Sequence, residues 1–282
     1  MWHCPKSVRA HRGAAFRGCD MTPSAVVLIH GAWSRGEQLA GVRDAFEERG
    51  YTAYTPTLRH HELPLEEGAD KIAMLSLRDY TDDLVQFVES LPSPPLIIGH
   101  SLGGLIAQLV AARSHHAGLV AACPAPLGLA GTNPTTVRIA LSGRHSRPET
   151  KPVYPPRWDL FRGGVANAQP ETTARQIHND LVCESGRVIN FEVGQPWRDR
   201  AKAARVDYAS ITGPVLVIGA GRDRIVPPRT ARRTAKRFRD GTYAEIPGSD
   251  HMVFSGETLP TAMAHIDGWI ARSLGPNPNS RS

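Results

Sequence analysis

Three residues far apart in the chain have the types needed for acyl transfer: Ser101, Asp223 and His251. A serine hydroxyl is a weak nucleophile until a base takes its proton, and that base needs an acid to orient it. Ser101 lies in Gly99-His100-Ser101-Leu102-Gly103, a G-x-S-x-G pentapeptide. The apolar run 96–98 precedes it and a helical pattern through Leu105, Ile106, Leu109 and Val110 follows. A serine on such a strand-to-helix turn is held in strained geometry with its oxygen exposed. The helix start presents free N–H groups and a positive dipole end to a developing oxyanion.

Asp223 follows the apolar run 215–218 and His251 follows the short strand pattern 243–246. In an alternating strand–helix chain, both loops fall at the carboxyl end of the sheet, where ligands and catalytic groups gather. The chain order Ser, acid, His fits a base at His251, oriented by Asp223, that takes the Ser101 proton. Asp250 is the rival acid, but it adjoins the base and neighbouring loop side chains point apart. A negative carbonyl oxygen needs two donors. The Leu102 backbone N–H is one candidate. The other belongs to the loop His30-Gly31-Ala32-Trp33: Ala32, with Trp33 as the alternative. His30 reads as a structural group pinning that loop, and His100 as a side chain packed beneath the turn. The aromatics Trp33, Trp158 and Trp197 are candidates for lining an acyl pocket.

Positioning these groups requires a sheet. The run 25–29 has no polar face and so reads as a strand buried on both sides. Helical periodicity follows at 37–49, then a strand at 51–56, an irregular stretch at 57–75 and a helix at 77–91. Ser76 and Asp79 form a capping-box pattern with Asp in place of Glu. A further buried strand spans 118–122. The segment 127–208 then turns polar, rich in Pro, Arg and Gly, and far longer than an ordinary connection. It is expected to be an inserted lid with helices near 172–182 and 199–206. Strand patterns at 214–219 and 243–246 alternate with helices at 228–239 and 259–274. Buried strands alternating with helices predict an α/β fold: a mostly parallel sheet covered on both faces.

The resulting division is a core of 21–126 and 209–274 and an insertion of 127–208, with disordered ends at 1–20 and 275–282. Residues 1–20 lack the apolar centre of a secretory signal; either Met21 is the natural start or 1–20 is a disordered extension. Half of the net +6 charge lies in residues 1–20, where Lys6, Arg9, Arg12 and Arg17 face only Asp20. The basic cluster from Arg229 to Arg239 has no interleaved aromatics, which favours a solvated helix face over a nucleic-acid site. No apolar run reaches the roughly 20 residues of a membrane span. Four cysteines without C-x-x-C spacing suggest free thiols and a cytoplasmic setting. No P-loop or dinucleotide fingerprint is present, so no cofactor is implied. His60-His61 and His115-His116 lack the i, i+4 spacing of a metal pair, so no metal is expected.

The four motifs at 30–33, 99–104, 221–223 and 249–251 together resemble the α/β-hydrolase superfamily across residues 24–274. The first two look most like small-molecule esterases such as the plant methylesterases. That resemblance implies oxyanion donors at Ala32 and Leu102. It also implies hydrolysis of a carboxylic ester, lactone or thioester of a small, fairly apolar substrate. Ser101 argues against the dehalogenases and epoxide hydrolases of this fold, whose nucleophile is Asp. The same three groups also support carbon–carbon bond hydrolysis, perhydrolysis or acyl transfer, and receptors exist on this fold.

Overall fold

The computed structural model describes residues 23–128 and 148–275. Six strands form one sheet in the order β2-β1-β3-β4-β5-β6. They are β1 (Ala25–Ile29), β2 (Thr52–Tyr54), β3 (Leu96–His100), β4 (Gly118–Ala122), β5 (Val215–Ala220) and β6 (Gly241–Ile246). All five pairings are parallel. Four of these strands, β1, β3, β4 and β5, are buried along their whole length. This is why they read as unbroken apolar runs rather than alternating ones.

Side chains alternate across the sheet and feed two cores. Val27, Ile29, Ile97, Leu119 and Val217 face one core, which Leu84 of α3 (Leu77–Glu89), Ile106 of α4 (Leu102–Ala111) and Ala231 complete. Val26, Leu28, Ile98, Val120 and Ile218 face the other. That face is covered by α1 (Ala40–Glu47) and the final helix (Leu259–Ser273), through Phe46, Ile266 and Trp269. The helices after β1 and β3 therefore lie on opposite faces. The two loops diverge at the point where strand order reverses, and a crevice opens between them at the carboxyl end.

Local chemistry explains where the elements begin. Ser76 caps α3 with both bonds of the capping box, its hydroxyl accepting from Arg78 N–H and Asp79 accepting from Ser76 N–H. Two expectations needed correction. The stretch 57–75 contains a helix, α2 (Leu65–Ile72), with Glu66 and Glu67 in its first turn and Lys71 in its last. Those charges suit the helix dipole, but Gly68 and a short apolar face hide the pattern. The region 199–206 is not helical. Asp199 takes the N–H groups of Ala201 and Ala203 on its own carboxylate, which competes with helical bonding.

Residues 148–208, between β4 and β5, have a helix α5 (Glu171–Asn179) and π-helical turns at Phe161–Val165 and Arg187–Val193. Two buried carboxylates fix this segment to the core. Glu184 accepts from Tyr80 Oη at 2.9 Å and bonds His61 Nε2 at 3.1 Å. Glu192 accepts from Ser76 Oγ at 2.6 Å and Leu77 N at 2.7 Å. The expectations for residues 1–20, and for the tail beyond Gly275, lie outside the described residues.

Candidate active site

The turn after β3 is built on close approach. A Cβ on Gly99 would stand 2.1 Å from the Gly103 carbonyl oxygen, and one on Gly103 would stand 2.2 Å from the Ile29 oxygen. Both distances are impossible, so glycine is the only residue that lets strand, helix and β1 converge there. Between them Ser101 takes φ 55 and ψ −117, a conformation non-glycine residues rarely hold. Its N–H donates to Ala122 and its carbonyl accepts from Ala125, which locks the strained residue in place.

Ser101, His251 and Asp223 meet at the carboxyl end of the sheet. Ser101 Oγ lies 2.8 Å from His251 Nε2, and His251 Nδ1 lies 2.8 Å from Asp223 Oδ2. With Nδ1–H donating to the carboxylate, Nε2 is left to accept the serine hydroxyl. Asp223 Oδ1 accepts the N–H groups of Ile225 at 2.7 Å and Val226 at 2.8 Å, which fixes the carboxylate plane. Burial pushes the His251 imidazole down. The charge and hydrogen bond of Asp223, helped by Asp250, outweigh that and raise it on balance. A hydroxyl bonded to a neutral imidazole, itself held by a carboxylate, can lose its proton as it attacks.

Asp250, the rival acid, is fully committed elsewhere. Its Oδ2 accepts from Ala168 N and Gln169 N, and its Oδ1 from Gln169 Nε2 and Met252 N. It clamps the insertion to the histidine loop. His100 donates Nε2–H to the His251 carbonyl at 2.8 Å, and burial pushes its imidazole down to about 4. His30 accepts the Leu58 N–H on Nε2 at 3.0 Å, and burial beside His61 pushes it down to about 3. Both are neutral structural groups at pH 7.

Ala32 and Leu102 both line the cavity that opens over Ser101. A Cβ on Gly31 would stand 3.2 Å from Ser101 Cβ, so the loop carrying Ala32 passes close against Ser101. The Leu102 N–H lies in the first turn of α4, where backbone donors have no intrahelical acceptor. Trp33, at φ 61, also lines the cavity. Its Nε1–H donates to the Val153 carbonyl and its own carbonyl accepts from Val182, so it stitches the loop to the insertion.

The other two tryptophans do not line the cavity. Trp158 packs behind it against Phe161 and His178, with the Arg175 guanidinium 4.3 Å over its ring. Trp197 is 72% exposed. The walls come instead from residues that sequence patterning did not single out. Phe161, Val165, Leu181 and Met252 form one apolar cluster, and Ile189 and Val193 belong to the other side. Phe161 and Ile189 sit in π-helical turns, which have no periodic signature to find. Among the described residues, no Asp, Glu, Lys or Arg lines the cavity.

The model of the alpha/beta hydrolase family matches residues 26–264. The chain belongs to the alpha/beta hydrolase family. A pyrethroid hydrolase of Sphingobium wenxiniae is 31% identical over 232 residues, covering 77% of this chain and 78% of that protein. A monoacylglycerol lipase of Mycolicibacterium smegmatis is 24% identical over 264 residues, 88% of each chain. The solved structure of a methylesterase from Arabidopsis superposes with a TM-score of 0.66 at 13% identity, covering 88% of this chain and 99% of that one. The structural likeness concerns the fold alone. No helix among the described residues of this hydrolase-family chain is long and apolar enough to cross a membrane.

Proposed function

We propose that the chain is a serine hydrolase acting on an uncharged, apolar carboxylic ester, lactone or thioester through an acyl-enzyme on Ser101. The observation that carries this reading is the unbroken hydrogen-bond chain Ser101–His251–Asp223, at 2.8 Å and 2.8 Å, opening into an apolar cavity.

In the first step Ser101 Oγ attacks the acyl carbon while its proton passes to His251 Nε2. The carbonyl oxygen becomes negative and is met by the Ala32 and Leu102 N–H groups. Losing one such donor costs about 10²–10³ in rate. The intermediate collapses, the bond to the leaving oxygen or sulfur breaks, and His251 returns its proton to that atom. Water then attacks the acyl carbon with His251 as base, and the acid leaves as Ser101 regains its proton. Asp223 stays ionised throughout and holds the imidazolium.

Substrate class follows from the walls. A charged substrate would lose its hydration with no opposite charge to receive it, at a cost of several kcal/mol. An apolar one gains about 25 cal/mol for each Å² it buries. The pyrethroid hydrolase and monoacylglycerol lipase relatives support ester chemistry. The insertion, with Phe161, Val165 and Leu181 over the cavity, acts as the lid. The test is fluorophosphonate labelling with mass detection, paired with turnover of a p-nitrophenyl ester chain-length series. A single adduct on Ser101 and hydrolysis that favours medium apolar chains are expected. An unlabelled Ser101 in folded protein would end the proposal.

A further inference from the structure

We propose that Cys123 is a positioning residue: its buried thiol completes the donor set around the Asp223 carboxylate and so tunes the hold of that carboxylate on His251. The inference rests on the triad roles proposed above.

Cys123 follows β4 directly, and its N–H donates to the Ile218 carbonyl of β5 at 2.8 Å. It adopts φ 44, a left-handed conformation that costs energy for any side chain with a Cβ. The residue is 0% exposed. Its Sγ, an Asp223 carboxylate oxygen and a His251 ring nitrogen all lie within 4.8 Å of one another, in three buried residues. Burial, with the Asp223 carboxylate beside it, pushes the thiol well up. It therefore stays protonated, as a donor must.

An ionised carboxylate offers about four acceptor positions. Three are filled by the N–H groups of Ile225, Val226 and His251. The Cys123 thiol fills the fourth. The other ionisable groups facing the pair are Asp250 on the histidine loop and the neutral His100 imidazole from β3. Without the thiol hydrogen the carboxylate is one donor short and its charge is less dispersed. It then pulls harder on the imidazolium and is held less firmly in plane.

The test compares Cys123→Ala, which removes the donor, with Cys123→Ser, which keeps one. Both are assayed on a p-nitrophenyl ester across pH, after the wild type has been labelled at Ser101 with a fluorophosphonate. Loss of about one modest hydrogen bond corresponds to about 3–10-fold. Cys123→Ala should lower kcat by that factor with KM within about twofold. Its acidic limb of kcat/KM should move up by about half a pH unit. Cys123→Ser should restore both. Should Cys123→Ala not fold, Cys123→Gly, which relieves the left-handed backbone, carries the same expectation. A labelled wild type with an unmoved limb and unchanged kcat in the donor-free variant would overturn the assignment of Cys123 alone. An unlabelled wild type would overturn the triad roles with it.

Discussion

Asp250 and Gln169 are joined side chain to side chain, Gln169 Nε2 donating to Asp250 Oδ1 at 3.0 Å. The other oxygen of the same carboxylate takes the Ala168 and Gln169 backbone N–H groups. The residue next to His251 thus anchors the insertion, so the seat of the imidazole and the docking of 148–208 are mechanically one. Asp250→Asn turns an acceptor into a donor facing donors. We expect a loss of about 3 kcal/mol and faster proteolysis within 148–208. Thermal melts and limited proteolysis check this; an unchanged digestion pattern would contradict it.

The second anchor predicts a similar cost. Glu184 is wholly buried between His61, Tyr80 and the Ser185 N–H. Burial pushes its carboxyl up, but the charge and hydrogen bond of His61 outweigh this and lower it on balance. Glu184→Gln leaves His61 without its counter-charge, and breaking such a buried pair costs about 3–5 kcal/mol. Urea titration followed by tryptophan fluorescence reads this directly. A midpoint equal to that of the wild type would refute the pairing.

The pH dependence of activity has a definite sign. His251 is raised above its ordinary 6.5 by Asp223 and Asp250 against the opposing effect of burial. A base must be neutral, so kcat/KM should rise with pH to a plateau whose midpoint lies above 6.5. Stability runs the other way. A raised folded value means that the contribution is complete below 6.5 and is lost as pH rises through the folded value. The melting-temperature gap between the wild type and His251→Gln should therefore narrow across that window. A limb below 6.5 would contradict the pairing with Asp223.

The turn around Ser101 gives a structural prediction. A Cβ on Gly103 meets the Ile29 and His30 carbonyl oxygens at 2.2 and 2.3 Å, and both belong to rigid backbone. Gly103→Ala should lose about 3 kcal/mol through overpacking and most of its activity. Calorimetry and ester turnover check the two effects. A stable, fully active variant would show that the convergence of strand, helix and β1 is looser than described.

Much of this architecture was legible because each key side chain follows its own strand. Buried strands leave apolar runs, and the glycines around Ser101 mark where backbones must touch. Ser76 and Asp79 announced the start of α3 for the same reason: a cap has a fixed spacing. What stayed hidden obeys no period. The π-helical turns that bring Phe161 and Ile189 to the cavity have no recurring apolar interval. Glu184 and Glu192 lie in a polar segment where charge normally means solvent, and only tertiary partners bury them. Trp158 and Trp197 illustrate the converse, since a large aromatic in an insertion can back a wall or face water. α2 was masked by Gly68, a poor helix former at a position where a Cβ would stand 3.3 Å from the His60 carbonyl oxygen.

The most direct measurement is pre-steady-state hydrolysis of a p-nitrophenyl ester by wild type and Ser101→Ala, with intact-mass detection of the acyl adduct. The account predicts a burst matched by one acyl group on Ser101, and a loss of about 10³-fold or more in the folded alanine variant. Turnover retained by Ser101→Ala, or an adduct on any other residue, would contradict it.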